Sequence, residues 1–221
     1  MKSGFLYINK PSDWTSHDVV AHLRRVTGEK KIGHAGTLDP FATGLLIVGV
    51  GRKATRELEK FLKQDKEYIA ELHLGAASDT YDLTGKITET DATPPTEDSI
   101  KNILLKFTGK QDQIPPMFSA KKIRGKKLYE LARKGEEVKR EPSKIIIHEN
   151  ELLKFDWPTL EIRVSCSSGT YIRSLAHDIG ETLGTGAYLE KLERTKIGEH
   201  ELKDAVDLDK INQNNWTEFI K

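Results

Sequence analysis

Apolar residues recur along the chain with the alternating and unbroken patterns of β-strands. Such patterns occur in FLYINK (5–10), LLIVGV (45–50), YIAELHL (68–74), IIIHENELL (145–153) and LEIRVSC (160–166). The unbroken run of residues 45–50 is typical of a buried central strand, whereas the alternation over residues 68–74 predicts a strand with one exposed face. Tyr68 lies on the apolar face of that strand.

Three other segments have apolar residues at helical spacing. They contain Val19, Leu23 and Val26; Ile100, Ile103, Leu104 and Phe107; and Ile172, Leu175, Ala176 and Ile179. Thr15 and Asp18 are expected to form a capping box that begins the first helix, and Gly28, Gly109 and Gly184 to end the three helices. Because strands outnumber helices and short turns join many of them, the sequence predicts an α+β fold with a largely antiparallel sheet.

The composition excludes several classes of protein. The chain has 221 residues with 35 lysines and arginines against 34 acidic residues, so its net charge of +1 does not by itself indicate a nucleic-acid partner. Cys166 is the single cysteine, which excludes an internal disulfide and a cysteine-rich zinc site and fits a reducing cytoplasm. No apolar run approaches the length of a membrane span, so no membrane partner is expected.

The segment GHAGTLDPFATG (33–44) is the strongest candidate for a reactive site. Asp39 lies among glycines that permit tight turns, and Pro40 biases it away from helical backbone. A structural turn explains the same residue types, since Gly, Pro, Asp and Thr are common in turns for local reasons. The segment alone therefore leaves two interpretations open, a catalytic carboxylate and a turn.

Positive charge is concentrated in the segment 119–144. It holds ten basic and four acidic residues, a local net charge of +6 where the whole chain has +1. The basic residues are Lys121, Lys122, Arg124, Lys126, Lys127, Arg133, Lys134, Lys139, Arg140 and Lys144. Such a run is commonly a solvated surface, and it is also the kind of surface that binds phosphate groups.

Seven blocks, which follow one another over nearly the whole chain, resemble the TruB family of tRNA pseudouridine synthases. They are Lys10 with Pro11, GHAGTLDPFATG, KEYIAELHLG, IPPMFSAKK, YELARKG, SSGTYIRSLAHDIG and LEKLERTKIG. Two departures are Asp13, where the family usually has glycine, and Glu193, where it usually has arginine. The first is mild because aspartate tolerates a left-handed turn, whereas the second bears on a local backbone or RNA contact.

The resemblance implies the pseudouridine synthase fold, an α+β fold with a long, mixed, mainly antiparallel sheet, flanking helices and a central cleft. Residues 1–203 are expected to form the catalytic domain, with an RNA-gripping insertion at about 119–144, and residues 204–221 a short C-terminal tail. Many members of the family carry a further C-terminal RNA-binding domain, for which the residues after Lys203 are too few.

The resemblance also assigns roles to single residues. Asp39 is implied to be the catalytic residue, Arg173 to pair with it and keep it ionised, and Tyr68 to stack on the target uracil and assist proton removal. His34 is implied to act as a wedge in the RNA and Asp82 to help hold it. The remaining implied contacts are Leu192 as a wall of the pocket and Lys121, Lys122, Lys126 and Lys127 as phosphate contacts.

Residue type alone allows plainer interpretations of the same positions. An arginine such as Arg173 is commonly a solvated helix residue, a tyrosine such as Tyr68 is commonly a packed strand residue, and a lone histidine such as His34 is more often structural. No metal is expected, since nothing near His34 has metal-ligand spacing. No nucleotide cofactor is expected, because Gly49–Lys53 lacks the spacing of a phosphate-binding loop.

The activity implied by the resemblance is isomerisation of uridine to pseudouridine at position 55 in the T arm of tRNA, with the nucleotide flipped out of the T stem-loop. We expect a monomer that needs no cofactor. An alternative is a non-catalytic RNA-binding or RNA-folding module on the same scaffold. A carboxylate glycosidase would need two acids beside the scissile bond, and Asp39 has no acidic companion within its own motif.

Overall fold

The structure is a computed structural model that describes residues 3–119, 121–123, 125–132, 135–136 and 138–221. Its strands are Gly4–Lys10 (β1), Ile32–Ala35 (β2), Thr43–Val50 (β3), Lys66–Leu74 (β4), Ala76–Ser78 (β5), Ile87–Glu89 (β6), Gly109–Gln113 (β7), Lys122–Ile123 (β8), Lys126–Lys127 (β9), Ser143–Asp156 (β10), Thr159–Cys166 (β11), Ala187–Ile197 (β12), His200–Glu201 (β13) and Val206–Asp207 (β14). Its α-helices are Ser16–Thr27 (α1), Gly51–Glu57 (α2), Glu59–Leu62 (α3), Glu97–Lys106 (α4), Leu128–Ala132 (α5) and Ile172–Leu183 (α6). Within these ranges, no helix combines the length and the apolar character that crossing a membrane requires.

The chain divides into two compact units. The terminal unit comprises Met1–Ile69 and Lys191–Lys221, and the middle unit comprises Ala70–Glu190. The two boundaries fall inside the strands β4 and β12, so each of these strands contributes residues to both units.

The terminal unit is organised around β3. Strand β1 pairs antiparallel with β3 over its whole length, from Gly4 opposite Val50 to Lys10 opposite Gly44. Strand β2 also pairs antiparallel with β3, whereas β12 pairs parallel with its beginning, where Arg194 lies opposite Gly44. The sheet of this unit is therefore mixed, and β3 is its central strand.

Both faces of β3 are covered. Leu46, Val48 and Val50 pack in a core cluster with α1, whereas Leu45 and Ile47 belong to a second cluster that contains Phe61 and Ile197. All five of these β3 side chains are buried. This confirms the prediction that the unbroken apolar run of residues 45–50 forms a buried central strand.

The last residues of the chain pack into the core of the terminal unit. Strand β14 pairs parallel with β1, and Leu208 and Ile211 are buried in the same cluster as α1. At the end of the chain, the backbone N–H of Lys221 donates to the carbonyl of Phe5 at 2.9 Å. Residues 204–221 are thus held by pairing, by apolar burial and by backbone hydrogen bonds.

The middle unit contains an antiparallel group of strands covered by helices. Strand β10 pairs with β11 on one side and with β7 on the other, both antiparallel. Helix α4 packs against β10 and against α6. The buried side chains of these elements are Ile100, Ile103, Leu104, Ile145, Ile147, Leu160, Ile162, Val164, Leu175 and Ile179.

Most of the predicted elements are confirmed, together with the α+β class and the mainly antiparallel pairing. Thr15 and Asp18 form the predicted capping box, in which each side chain bonds the backbone N–H of the other. Asp13 adopts the expected left-handed backbone, with φ of 65°. Helix α4 was predicted to continue to Gly109, but it ends at Lys106, since the backbone of Phe107 departs from the regular helix, with φ of −84° and ψ of −1°.

The sequence patterns did not predict every element, and the missed elements include β12, α2 and β2. Strand β12 mixes apolar and charged residues without a regular period of two, and Lys191, Glu193 and Lys196 make it a segment of high charge. Helix α2 follows β3 without a loop and has no side-chain cap at its beginning. Strand β2 has only four residues. None of the three has the long run or the local capping signal that a single sequence makes visible.

We expect Gly44→Ala to destabilise the protein strongly. Gly44 has φ of +99°, and an added Cβ would lie 2.7 Å from the backbone nitrogen of Arg194. Gly28→Ala is the matched control, because Gly28 also has a positive φ, of +70°, but open space around the new Cβ. The control should lose about 1–2 kcal/mol from left-handed backbone alone, and Gly44→Ala about 1–3 kcal/mol more. Equal losses in urea unfolding would contradict the close approach of β12 to β3.

Candidate functional site

The loop between β2 and β3 holds the candidate catalytic carboxylate. Asp39 is partly exposed and lies between buried Leu38 and exposed Pro40. The N–H of Leu38 donates to the hydroxyl of Ser16 at 3.0 Å, and the N–H of Asp13 donates to the carbonyl of Pro40 at 2.9 Å. The backbone on both sides of Asp39 is therefore tied to the beginning of α1 and to the turn before it.

Lys10 is a buried cation beneath this loop. Its side chain is fully buried, and its ammonium donates hydrogen bonds to the carbonyls of Pro11 at 2.9 Å, Trp14 at 2.6 Å and Pro40 at 3.0 Å. These bonds use the three N–H donors that an ammonium group has. Lys10 thus joins the end of β1, the turn before α1 and the loop of Asp39.

Burial lowers the pKa of Lys10 to about 8, against the attraction of Asp13 and Asp39, which raises it. Lys10 therefore still carries its charge at neutral pH. The attraction between an ammonium and a carboxylate is mutual, so the charge of Lys10 favours the ionised form of Asp39.

Arg194 is a second buried cation at the same loop. Its side chain is 1% exposed, its Nε donates to the carbonyl of Leu45 at 2.8 Å, and one of its terminal nitrogens donates to the carbonyl of Gly36 at 3.0 Å. These two carbonyls lie on either side of Asp39 along the chain. Arg194 therefore ties the beginning of the loop to strand β3 and adds a second buried positive charge at the loop.

Sequence reasoning missed Lys10 and Arg194 as parts of the site, although both lie in the blocks that carry the family resemblance. Arg194 comes two residues after Leu192, so the two side chains point to the same face of β12. A cation on the buried face of a strand needs acceptors inside the protein. The burial of Arg194 can therefore be inferred only when β12 is known to be a strand.

His34 lies on β2, and its ring meets that of His17 edge to face, with centroids 5.3 Å apart. The Nδ1 atom of His34 is buried and has no hydrogen-bond partner among the residues that the structure describes. Burial, together with the neighbouring His17 and Arg194, lowers the pKa of His34 to about 4. The ring is therefore neutral at physiological pH, which suits stacking on a base better than ion pairing with a phosphate.

Tyr68 and Leu192 also belong to the terminal unit. Tyr68 lies on β4 and is 9% exposed, on the apolar face that the alternation predicted. Leu192 lies on β12 and is 7% exposed, and its carbonyl accepts a hydrogen bond from the hydroxyl of Thr43 at 3.5 Å. Their roles at uracil remain predictions.

Arg173 and Asp82 form a buried ion pair in the middle unit. A terminal nitrogen of Arg173 lies 3.0 Å from a carboxylate oxygen of Asp82, and both side chains are about 5% exposed. The other terminal nitrogen of Arg173 donates to the carbonyl of Phe118 at 2.7 Å. Arg173 is thus not the solvated helix residue of the plainer interpretation, and its pairing with Asp39 stays a prediction.

The second carboxylate oxygen of Asp82 is also saturated. It accepts hydrogen bonds from the hydroxyl of Thr80 at 2.8 Å and from the N–H and hydroxyl of Thr84 at 2.9 and 2.6 Å. A buried carboxylate of this kind is held by several donors, so its position is well defined. Its contact with RNA stays a prediction, and its bonds within the middle unit point to an orienting role toward Arg173.

The basic segment is described in part. Strands β8 and β9 pair, with Lys122 opposite Lys127, and Gly125 turns between them. The ammonium of Lys121 donates to the hydroxyl of Ser143. The side chains of Lys122, Lys126 and Lys127, and all of Arg124, Arg133 and Lys134, lie outside the described part of the chain. The phosphate contacts of this segment therefore remain predictions.

Two family models together match most of the chain. Residues 24–172 match the model described as TruB family pseudouridylate synthase (N terminal domain). Residues 173–219 match the tRNA pseudouridylate synthase B C-terminal domain. The resemblance predicted from the sequence blocks is confirmed by these matches.

Curated relatives and solved structures agree with the family models. The chain is 54% identical to tRNA pseudouridine synthase B of Protochlamydia amoebophila (strain UWE25) over 88% of this chain and 74% of the relative. It is 47% identical to tRNA pseudouridine synthase B of Clostridium tetani (strain Massachusetts / E88) over 99% of this chain and 75% of the relative.

Among solved structures, the chain is similar to one of an archaeal box H/ACA sRNP Nop10-Cbf5 complex, with 30% identity and a TM-score of 0.72 over 97% of this chain and 55% of that chain. A Cbf5-Nop10-Gar1 complex has 32% identity and a TM-score of 0.72 over 93% of this chain and 52% of that chain. This chain therefore spans about half the length of these two solved chains. Their similarity confirms the predicted fold class.

The low pKa of His34 makes a prediction about stability in acid. The unfolded chain binds a proton on this histidine near pH 6.5, whereas the folded protein resists it until about pH 4, so stability falls as pH falls through this interval. His34→Phe keeps an aromatic ring that does not titrate. Between pH 7 and pH 5, the wild type should lose about 2 kcal/mol of unfolding free energy relative to the variant. A difference between the two proteins that stayed constant with pH in urea unfolding would contradict the buried, neutral state of His34.

Proposed function

Because the chain belongs to the TruB family of pseudouridylate synthases, we propose that it converts uridine to pseudouridine at position 55 in the T arm of tRNA. The observation that carries this proposal is Asp39, which is partly exposed in a loop whose carbonyls are held by the buried cations Lys10 and Arg194. The names of the relatives, tRNA pseudouridine synthase B, support tRNA as the substrate.

The reaction exchanges one bond to the ribose for another. The bond from N1 of uracil to C1′ breaks, the base turns, and C5 bonds to C1′, while C5 loses a proton and N1 gains one. Atoms and electrons balance without a redox partner. Asp39 acts as a nucleophile toward the substrate or takes the C2′ proton, and either role requires its ionised form.

The charges around Asp39 support that ionised form. A carboxylate that loses water on substrate binding tends to take up a proton, because burial disfavours charge. The positive charge of Lys10 opposes protonation of Asp39, since the two groups attract each other and Asp39 is among the groups that raise the pKa of Lys10. Arg173 is proposed to add a direct ion pair with Asp39, in keeping with the family resemblance.

Access to the uracil requires that the nucleotide leave the T loop. Flipping a nucleotide costs a few kcal/mol, and stacking an aromatic ring on a base returns about 1–3 kcal/mol. The neutral ring of His34 is proposed to stack in the space that the flipped nucleotide leaves. Tyr68 is proposed to stack on the uracil and to assist removal of the C5 proton, with Leu192 as a wall of the pocket.

Binding of the rest of the T stem-loop is assigned to the basic segment of residues 119–144. We propose that Lys121, Lys122, Lys126 and Lys127 contact phosphates and that Asp82 acts within the same RNA-binding surface. Residues 1–203 are proposed as the catalytic domain, with residues 204–221 as its C-terminal tail. We further propose that the protein acts as a monomer on tRNA in the cytoplasm.

Replacing Asp39 with asparagine should abolish the reaction. Asp39→Asn keeps the shape of the side chain but removes the charge, so release of tritium from C5-labelled uridine in tRNA should fall at least about 10³-fold while tRNA binding stays measurable. Asp13→Asn is the matched control, because Asp13 is the other carboxylate that attracts Lys10, and asparagine also tolerates its left-handed backbone.

Three outcomes are distinguished by this pair of variants. Loss of activity in Asp39→Asn with activity kept in Asp13→Asn supports the proposal. Equal activity in Asp39→Asn and the wild type contradicts the catalytic role of Asp39. Binding of tRNA with no tritium release from any of the three proteins identifies a non-catalytic RNA-binding module. Mapping pseudouridine in treated tRNA tests position 55 directly.

The phosphate contacts predict a change in salt dependence. Replacing Lys121, Lys122, Lys126 and Lys127 with alanine should weaken tRNA binding and reduce the slope of log affinity against log salt by about one for each phosphate that the variant no longer neutralises. The control removes four lysines that instead pair with nearby carboxylates: Lys60, Lys63, Lys203 and Lys210. Both variants lose four positive charges, so an equal change of slope in the two would show that only overall charge matters.

A further inference from the structure

Tyr81 has a backbone conformation that residues with large side chains rarely adopt. Its φ is 65°, in the left-handed region, and among the described residues only Asp13 shares a positive φ without being glycine. Aspartate tolerates this region through its short polar side chain, whereas tyrosine gains nothing comparable. Such a conformation persists only where the surrounding structure imposes it, and it is enriched near functional sites.

Hydrogen bonds on both sides of Tyr81 impose the conformation. The N–H of Tyr81 donates to the carbonyl of Ser78 at 3.0 Å, and its carbonyl accepts from the N–H of Leu189 at 2.9 Å. The N–H of Leu83 in turn donates to the carbonyl of Leu189 at 3.1 Å. The turn that contains Tyr81 and Asp82 is therefore clamped to the beginning of β12 within the middle unit.

The ring of Tyr81 lies flat on the ring of His177. The two centroids are 4.0 Å apart, and the planes differ by 12°. The Nδ1 atom of His177 is buried and finds no hydrogen-bond partner among the described residues. His177 therefore contributes the face of its ring to this contact, and Tyr81 reaches that face from a left-handed backbone conformation.

The stack shares its two elements with the buried ion pair. His177 and Arg173 are four residues apart on α6, which places them on the same face of the helix one turn apart. Tyr81 and Asp82 are neighbours in the clamped turn, and Asp82 pairs with Arg173 at 3.0 Å. The turn thus touches α6 at two successive points, by a ring stack and by an ion pair. The guanidinium of Arg173 also donates to the carbonyl of Thr80 in this turn at 3.5 Å. The ring stack adds a contact one helical turn away from these two, so it further restricts rotation of the turn against the helix.

We propose that Tyr81 and His177 are positioning residues, which hold Asp82 against Arg173 and so fix the direction of the Arg173 guanidinium for the isomerisation. This rests on the proposed function in one respect, that Arg173 acts at the reacting nucleotide. The strain at Tyr81 is then the consequence of placing an aromatic ring at a turn position that glycine or asparagine would occupy without strain.

The variant that separates this role from a purely structural one is Tyr81→Gly. It removes the ring and also relieves the left-handed backbone, so the protein should remain folded. We expect kcat for tRNA to fall about tenfold, in line with the cost of small misplacements of catalytic groups, and KM to change little. Tyr81→Phe keeps the ring and should restore kcat. His177→Ala should reproduce the loss, and His177→Phe should restore it.

Two further measurements sharpen the test. The double variant Tyr81→Gly with His177→Ala should lose no more than either single variant, because the two rings form one contact. His73→Ala is the matched control, since it removes another stacked histidine and tyrosine, His73 with Tyr188, in which neither ring belongs to α6 or to the turn of Asp82. Its kcat should equal that of the wild type.

An observation that does not depend on activity comes from nitrogen-15 NMR of the arginine side chains. In the wild type, the guanidinium nitrogens of Arg173 should give separate, slowly exchanging signals because of its ion pair, and in Tyr81→Gly these signals should average. Unchanged Arg173 signals in folded Tyr81→Gly, or a kcat within about twofold of the wild type, would overturn the proposal. If the wild type itself forms no pseudouridine, the proposed function fails, and the NMR comparison alone decides whether the stack orients Arg173.

Discussion

The loop of the candidate catalytic aspartate depends on two cations that are buried against backbone carbonyls. Lys10 and Arg194 bond carbonyls on both sides of Asp39, including those of Pro40 and Gly36. A buried charge without partners costs several kcal/mol, so each cation requires the loop to keep its conformation. In turn, the two cations fix the backbone of the loop and place positive charge near the carboxylate of Asp39. The geometry of the loop and the electrostatic environment of Asp39 therefore both result from the two buried cations.

Buried charges that need partners also fix the local geometry of the middle unit. The carboxylate of Asp82 and the guanidinium of Arg173 are both buried, and the two groups find acceptors and donors in each other, in Thr80, in Thr84 and in the carbonyl of Phe118. A buried charged group that is held by several hydrogen bonds is limited to a narrow set of positions. This restriction favours an arginine that has to contact a reacting nucleotide, because little conformational entropy of the side chain is then lost when substrate binds.

Prediction from sequence succeeded where the cause is local. The capping box of Thr15 and Asp18, the left-handed Asp13 and the buried run of residues 45–50 each follow from neighbouring residues. It failed for β12, whose charged residues conceal the strand period, because the stability of that strand comes from pairing with residues far away in the chain. The buried cations were missed for the same reason, since their acceptors lie on other elements.

The sequence by itself determined the family, the α+β class and the identity of Asp39 as the candidate catalytic residue, because these depend on residue types at fixed spacing along the chain. Only the tertiary structure decided that Lys10 and Arg194 hold the loop of Asp39, and that Tyr81 and Asp82 face one side of α6. The physical reason is that a buried charge or ring is defined by the groups that surround it, and those groups come from distant parts of the chain.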